Sequence, residues 1–234
     1  MVVPVHAGSG TADTAVNVAE ESLTRLGWLK LDDDIGASHE SVHARRDAHI
    51  LPFEAISSDG GEFSEAHSFK SVCIDDQSCY SSQIGCRRSE AVNVTARYSG
   101  CGRCTVDAVT IRNPMRGYDS PVGQAIIFAS LGVPKLESIS NFDYIRNEAD
   151  YLLELDRWNQ QAHTDPTIPK PVAFVNMHGK FNATTSAPIS RSSKYLIVKL
   201  LRAQGSRDNN IDVEFVGAHG WSGRYLSPCR MVLR

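Results

Sequence analysis

Cys101 and Cys104, with two residues between them in the run Cys-Gly-Arg-Cys, have the type and spacing of half a zinc site. Cys73, Cys79 or Cys86 could supply the remaining thiolates, since four sulfurs satisfy tetrahedral Zn²⁺. The same pair could also act as a redox dithiol. Dithiols of that kind open a helix, whereas this pair reads as a β-turn between strand-like runs. The upstream cysteines are separated by five and six residues, which is not the spacing of a zinc ribbon. Small turn and core thiols are the competing reading, and no cofactor is expected.

Asp75 and Asp76 are adjacent carboxylates that could ligate Ca²⁺, a hard cation that takes oxygen donors. Two acids in a turn serve equally as a solvated loop. Asp32, Asp33 and Asp34 lack the alternating spacing and terminal Glu of a calcium-binding loop and read as a linker. The eight histidines are scattered. No metalloprotease helix motif, nucleophile elbow or phosphate-binding loop occurs, so the sequence assigns no catalytic residue.

Binding residues are better represented. Gln77, Tyr80, Arg87, Arg88, Arg112, Arg116, Tyr118, Asn209 and Trp221 all fall at strand ends or in loops. Arg and aromatic side chains anchor interfaces because they bury area and donate hydrogen bonds together. Arg112, Arg116, Tyr118, Asn209 and Trp221 form the candidate set, with the run from Arg112 to Tyr118 as its most promising patch. The alternative is that Tyr118 and Trp221 close the core while the arginines are merely solvated.

These residues need a scaffold, and composition bounds it. The chain has 234 residues with 41% hydrophobic content, enough for a sizeable core. The net charge of −3, without a basic stripe, argues against nucleic acid as a partner. No apolar run reaches membrane-spanning length. The opening MVVPVHAGSG lacks a signal-like apolar core, so cytosol or nucleus is the expected location, with thiols kept reduced.

Val16, Ala19, Leu23 and Leu26 predict an amphipathic helix within an N-terminal extension over 1–48. A β-sandwich is expected over 49–222, with a tail over 223–234. Ile50, Leu51 and Phe53, interrupted by Pro52, read as an edge strand. Phe69, Val72 and Ile74 read as the start of another strand. Val92, Val94, Ala96 and Tyr98 alternate as a half-buried strand. Residues 105–111 run back from it, with Val106, Ala108 and Thr110 on one face and Val109 and Ile111 on the other. Together the two runs predict an antiparallel hairpin.

Residues 122–128 read as a buried strand, and 172–177 as another. The runs 195–201 and 211–216 predict a second antiparallel pair. Between the 122–128 and 172–177 strands, 131–170 reads as an insertion. Its helix, over about 144–160, offers Ile145, Ala149, Leu152, Leu155 and Trp158 as the apolar face.

This pattern resembles the galactose-binding-like jelly roll, the superfamily of discoidin-type, DOC and PITH domains. The resemblance is carried by Ile74-Asp75-Asp76 with Ser81-Ser82, by Val92 to Tyr98 with Val106 to Arg112, and by Tyr195 to Leu200 with Ile211 to Gly217. It implies an all-β fold with an N-terminal helix and one helical insertion, and a recognition role without catalysis. The DOC branch suits a thiol-bearing chain without a disulfide clamp. It implies a protein-recognition adaptor with ubiquitin-ligase partners, and the C-terminal Met231-Val232-Leu233-Arg234 resembles the docking tail of one such protein. A carbohydrate-binding module and a structural subunit of a large assembly are the two alternatives.

Overall fold

The computed structural model describes residues 49–83, 91–115, 117–179, 183–204 and 210–222. The expected N-terminal helix and C-terminal tail lie outside these residues. So do Cys86, Arg87, Arg88, Arg116 and Asn209.

Eleven strands are described: β1 His49–Leu51, β2 Phe53–Ser58, β3 Tyr80–Ser81, β4 Val92–Tyr98, β5 Cys104–Arg112, β6 Val122–Ser130, β7 Lys170–Asn176, β8 Thr184–Ser193, β9 Tyr195–Ala203, β10 Asp212–Val213 and β11 Phe215–Ser222. One sheet has the order β1-β11-β5-β8 and the other β2-β4-β9-β6-β7, while β10 pairs with β3. Every pairing between named strands is antiparallel.

The two larger sheets share one core. Val106, Val109, Ile111, Val216 and Ala218 come from the first; Val94, Ala125, Ile127, Val198 and Leu200 come from the second. Pro52 stands where the chain leaves one sheet for the other, between two edge strands. It has no N–H to offer a ladder, and an edge strand tolerates that. Its carbonyl accepts from the Ser99 N–H at 2.9 Å, which fixes the corner.

The predicted hairpin is not formed. β4 and β5 lie in different sheets, and the turn between them bridges the sandwich. Lys194 Nζ holds that turn, donating to the carbonyls of Tyr98 at 2.9 Å and Gly100 at 3.0 Å. The second predicted pair is likewise divided, because β9 joins the five-stranded sheet and β11 the four-stranded one. Strands adjacent in sequence cross the core here, and alternation along a strand does not encode that choice.

The faces of β5 also differ from a simple alternation. Its register to both neighbours skips Asp107, a bulge that brings Val106 onto the core face with Val109 and Ile111. The run from Phe69 is not a strand: Phe69–Ser71 is a 3-10 turn. Apolar residues three apart suit that period of three.

β6 and β9 are buried on both faces, and the reason is the insertion. A 3-10 helix, Leu136–Tyr144, and an α-helix, α1, Glu148–Gln160, cover the outer face of the five-stranded sheet. Ile139, Phe142, Ile145 and Tyr151 pack there on Ile126, Phe128, Ile197 and Leu201. Phe142 meets Phe128 edge-on at 5.2 Å, and Tyr151 stacks on Phe174 at 5.6 Å. Asn147 caps α1 by accepting from the Asp150 N–H at 2.9 Å. Tyr151, Leu152, Leu155 and Trp158 form the packed face, whereas Ala149, expected to belong to it, is exposed. Among the described residues no helix is long and apolar enough to cross a membrane.

Candidate functional site

Arg112 ends β5 and is gripped from three directions. Its Nε donates to Glu214 at 2.7 Å, and its terminal nitrogen donates to Asp75. The guanidinium also lies over the Phe215 ring, 5.0 Å from its centroid. Phe215 opposes Arg112 across the β5–β11 ladder. Its ring lies flat over Gly217, so that a Cβ on Gly217 would come within 2.4 Å of it. Glycine is therefore what lets the ring lie down and support the guanidinium. The Asp75 hydrogen bond holds Arg112 above its ordinary pKa, so the charge is fixed.

The Asp75–Ser78 turn brings further groups to the same place. Asp76 accepts from the Ser78 N–H at 2.9 Å, and this bond keeps its carboxyl below the usual range. Gln77 adopts φ of 67°, a left-handed conformation that costs a residue with a Cβ and recurs where a side chain is held for use. Asp75, Gln77, Arg112, Pro114, Met115, Tyr118 and Glu214 line one cleft of about 350 Å³. Met115 is 65% exposed at its rim. An aromatic row, Tyr118 to His67 at 5.9 Å and His67 to Phe63 at 6.3 Å, runs beside it.

Near Tyr118 lies a buried polar hub. Asp212 accepts from Ser81 Oγ and, at 3.1 Å, from the Ser120 N–H; Asn210 donates to it at 2.7 Å. Burial still raises the Asp212 carboxyl above its ordinary value. Burial likewise pushes the Cys79 thiol up to about 12, with the Asp212 charge adding to the effect. Burial also raises the Tyr118 phenol, helped by its contact with Cys79.

Of the residues expected from sequence, Arg112 and Tyr118 meet in this cleft, joined by Gln77 and Asp75. Trp221 does not join them. It pairs with Thr105 at the other end of β5, about 20 Å away at the ordinary strand rise. Arg116 and Asn209 lie outside the described residues. Glu214, Phe215 and Gly217 were missed. Their only sequence signal was the strand pattern that assigned them to the core.

The two residues considered for Ca²⁺ face other tasks, Asp75 bridging a guanidinium and Asp76 closing a turn. Cys101 and Cys104 diverge. Cys101 is exposed, while Cys104 is buried and donates to the Ser193 carbonyl at 3.3 Å. Burial pushes the Cys104 thiol up to about 11, away from the thiolate that a metal requires. Among the described residues no group of three His, Cys, Asp or Glu side chains gathers as a metal site.

No protein-family model matches the chain, and no curated protein matches it. Solved structures do. The CBM32-3 domain from a family 31 glycoside hydrolase of Clostridium perfringens aligns with a TM-score of 0.50 and 12% identity, over 72% of this chain and 90% of that one. The chain has the jelly-roll fold of that domain. Two other domains of this jelly-roll type, from the same organism, are more distant. The family 32 CBM of NanJ, solved with galactose, gives a TM-score of 0.46 and 8% identity over 72% and 99% of the two chains. A CBM32 domain solved with GalNAc-β-1,3-galactose gives 0.47 and 8% over 73% and 99%. Identity this low speaks to the fold alone.

Proposed function

We propose that this jelly roll is a non-catalytic recognition module and that its loop-end cleft binds a neutral carbohydrate. The observation that carries this reading is Arg112, held between Asp75 and Glu214 beside the exposed Met115 and the half-buried Tyr118. A sugar offers hydroxyls on its edge and C–H groups on its faces. The carboxylates accept from hydroxyls, the guanidinium donates to them, and Met115 and Tyr118 cover the apolar face. Two carboxylates against one guanidinium leave the lining with net negative charge. That disfavours sulfated and acidic glycans. Cys79, the potential nucleophile nearest Tyr118, is held as a thiol by burial, which supports binding over chemistry. The carbohydrate-binding domain that shares this fold lends its support to the same reading.

The test is a glycan array with the full chain, followed by calorimetry on the best ligand. Retention of neutral hexose glycans, reduced at least about tenfold by Arg112→Ala and by Met115→Ala but unchanged by Trp221→Ala, supports the proposal. Absence of any glycan above background overturns it, as does loss confined to Trp221→Ala. The adaptor reading, with ubiquitin-ligase partners, finds no support among the similar structures. Capture of ligase subunits in a parallel pull-down, lost with Arg112→Ala, would restore it.

A further inference from the structure

The helical layer does more than cover a sheet. Its own outer side carries a groove of about 520 Å³ where the 3-10 helix meets α1. Ile145 belongs to the lining and to the apolar cluster beneath. Tyr144 and Leu153 line the groove with 72% and 55% of their surface exposed, although Tyr151, Leu152, Leu155 and Trp158 of α1 are at least partly buried. Exposed apolar residues scattered singly need no explanation, but two sharing one groove do.

The frame around them is acidic. α1 carries Glu148, Asp150, Glu154 and Asp156 against the single base Arg157. That base is already spent within the groove, donating to Glu154 at 3.1 Å. Asp150 and Glu154 line the groove itself. An anionic partner would meet repulsion here, and a neutral one would leave Asp150 without a counter-charge. A cationic segment with apolar residues on one face satisfies both features at once.

We infer that this groove is a docking surface for a basic amphipathic peptide segment of a partner protein, its apolar side chains seated on Tyr144 and Leu153 and its Lys or Arg residues facing the carboxylates of α1. The surface lies on the helical layer and shares no residue with the loop-end cleft, so it stands apart from the carbohydrate reading.

The test uses the full chain and fluorescein-labelled peptides of equal length. One carries leucines at i, i+3 and i+4 spacing with flanking lysines; a second replaces the lysines by glutamines; a third replaces them by glutamates. Fluorescence anisotropy is expected to rank lysine above glutamine above glutamate, and a rise from about 50 to 300 mM salt weakens the lysine peptide several-fold. Leu153→Lys and Tyr144→Ala each lower its affinity about tenfold. Both sites are exposed, so circular dichroism should show an unchanged fold. Equal binding of all three peptides overturns the inference, as does binding indifferent to both substitutions. A glycan lost on Tyr144→Ala instead would assign the groove to sugar and overturn it too.

Discussion

A guanidinium is a useful binding group only when its plane is fixed, and Arg112 owes that to Phe215 and Gly217 as much as to its two carboxylates. Gly217→Ala forces the Phe215 ring off its seat, because the new Cβ falls 2.4 Å from it. The expected result is a loss of carbohydrate affinity of at least about fivefold with unchanged stoichiometry, read by calorimetry. Phe215→Leu, which removes the stacking face but keeps the bulk, should reproduce that loss. Arg112→Lys should not recover binding, since an ammonium cannot bridge both carboxylates in a plane. Equal affinity in all three variants would show that the stack does not orient Arg112.

The cysteines make a second prediction at this scale. Burial pushes Cys73 and Cys79 up to about 12 and Cys104 to about 11, whereas Cys101 is exposed. Alkylation at pH 8, mapped by mass spectrometry, should modify Cys101 at least about a hundred-fold faster than those three in the folded chain. The linkage has a definite sign. A thiol whose folded pKa is raised contributes its full stability below its unfolded value near 9.0, and that contribution is lost as pH climbs through about 11 to 12. Urea midpoints should therefore fall above pH 9, and fall less steeply in Cys73→Ala/Cys79→Ala. An identical slope in that variant would remove the thiols as the cause.

The element that departs most from a bare sandwich is the helical layer, and one ion pair ties it down. Lys199 on β9 is 1% exposed, and its ammonium pairs with Asp143 of the 3-10 helix. Asp143→Ala leaves that charge buried and alone. The expected cost is about 2–3 kcal/mol, discounted from the usual 3–5 because the Asp143 side chain keeps 30% exposure. Adding Lys199→Met should recover most of it, because replacing both partners of a buried pair by apolar bulk is close to neutral. Chemical denaturation measures both. A double variant no better than the single one would show that Asp143 acts by packing.

At the scale of the molecule, the helical layer is a third layer of the fold. Ile126, Phe128, Ile197 and Leu201 have less than 5% exposure only because it covers them. Each such side chain gains about 1.5–3 kcal/mol from burial. Replacing 136–165 by a short Gly-Ser linker is therefore expected to abolish soluble yield, or to leave a chain that binds a hydrophobic dye. Full solubility with a cooperative transition of unchanged midpoint would mean the layer is dispensable.

Residue periodicity alone was enough to mark β4, β6, β7 and β9, because alternation or an unbroken apolar run is local information. The resemblance to a galactose-binding-like jelly roll was legible for the same reason, because the strand motifs that carry it are local too. β8 was not legible: as the polar edge of its sheet it reads TTSAPISRSS, with Pro188 in the middle and only Ala187, Ile189 and Ser193 buried. Arg112 and Tyr118 could be named from residue type, but their neighbours in the cleft could not. Glu214 comes from the far end of the chain, and Trp221, equal to them in sequence, lies at the opposite end of the sandwich. Sheet partners followed the same rule. β4 and β5 are adjacent in sequence, yet each buries its apolar face against the other's sheet. Local pattern fixes which face of a strand is apolar, whereas its partner is chosen by the burial of both sheets and the helical layer together, and only the tertiary structure holds that information.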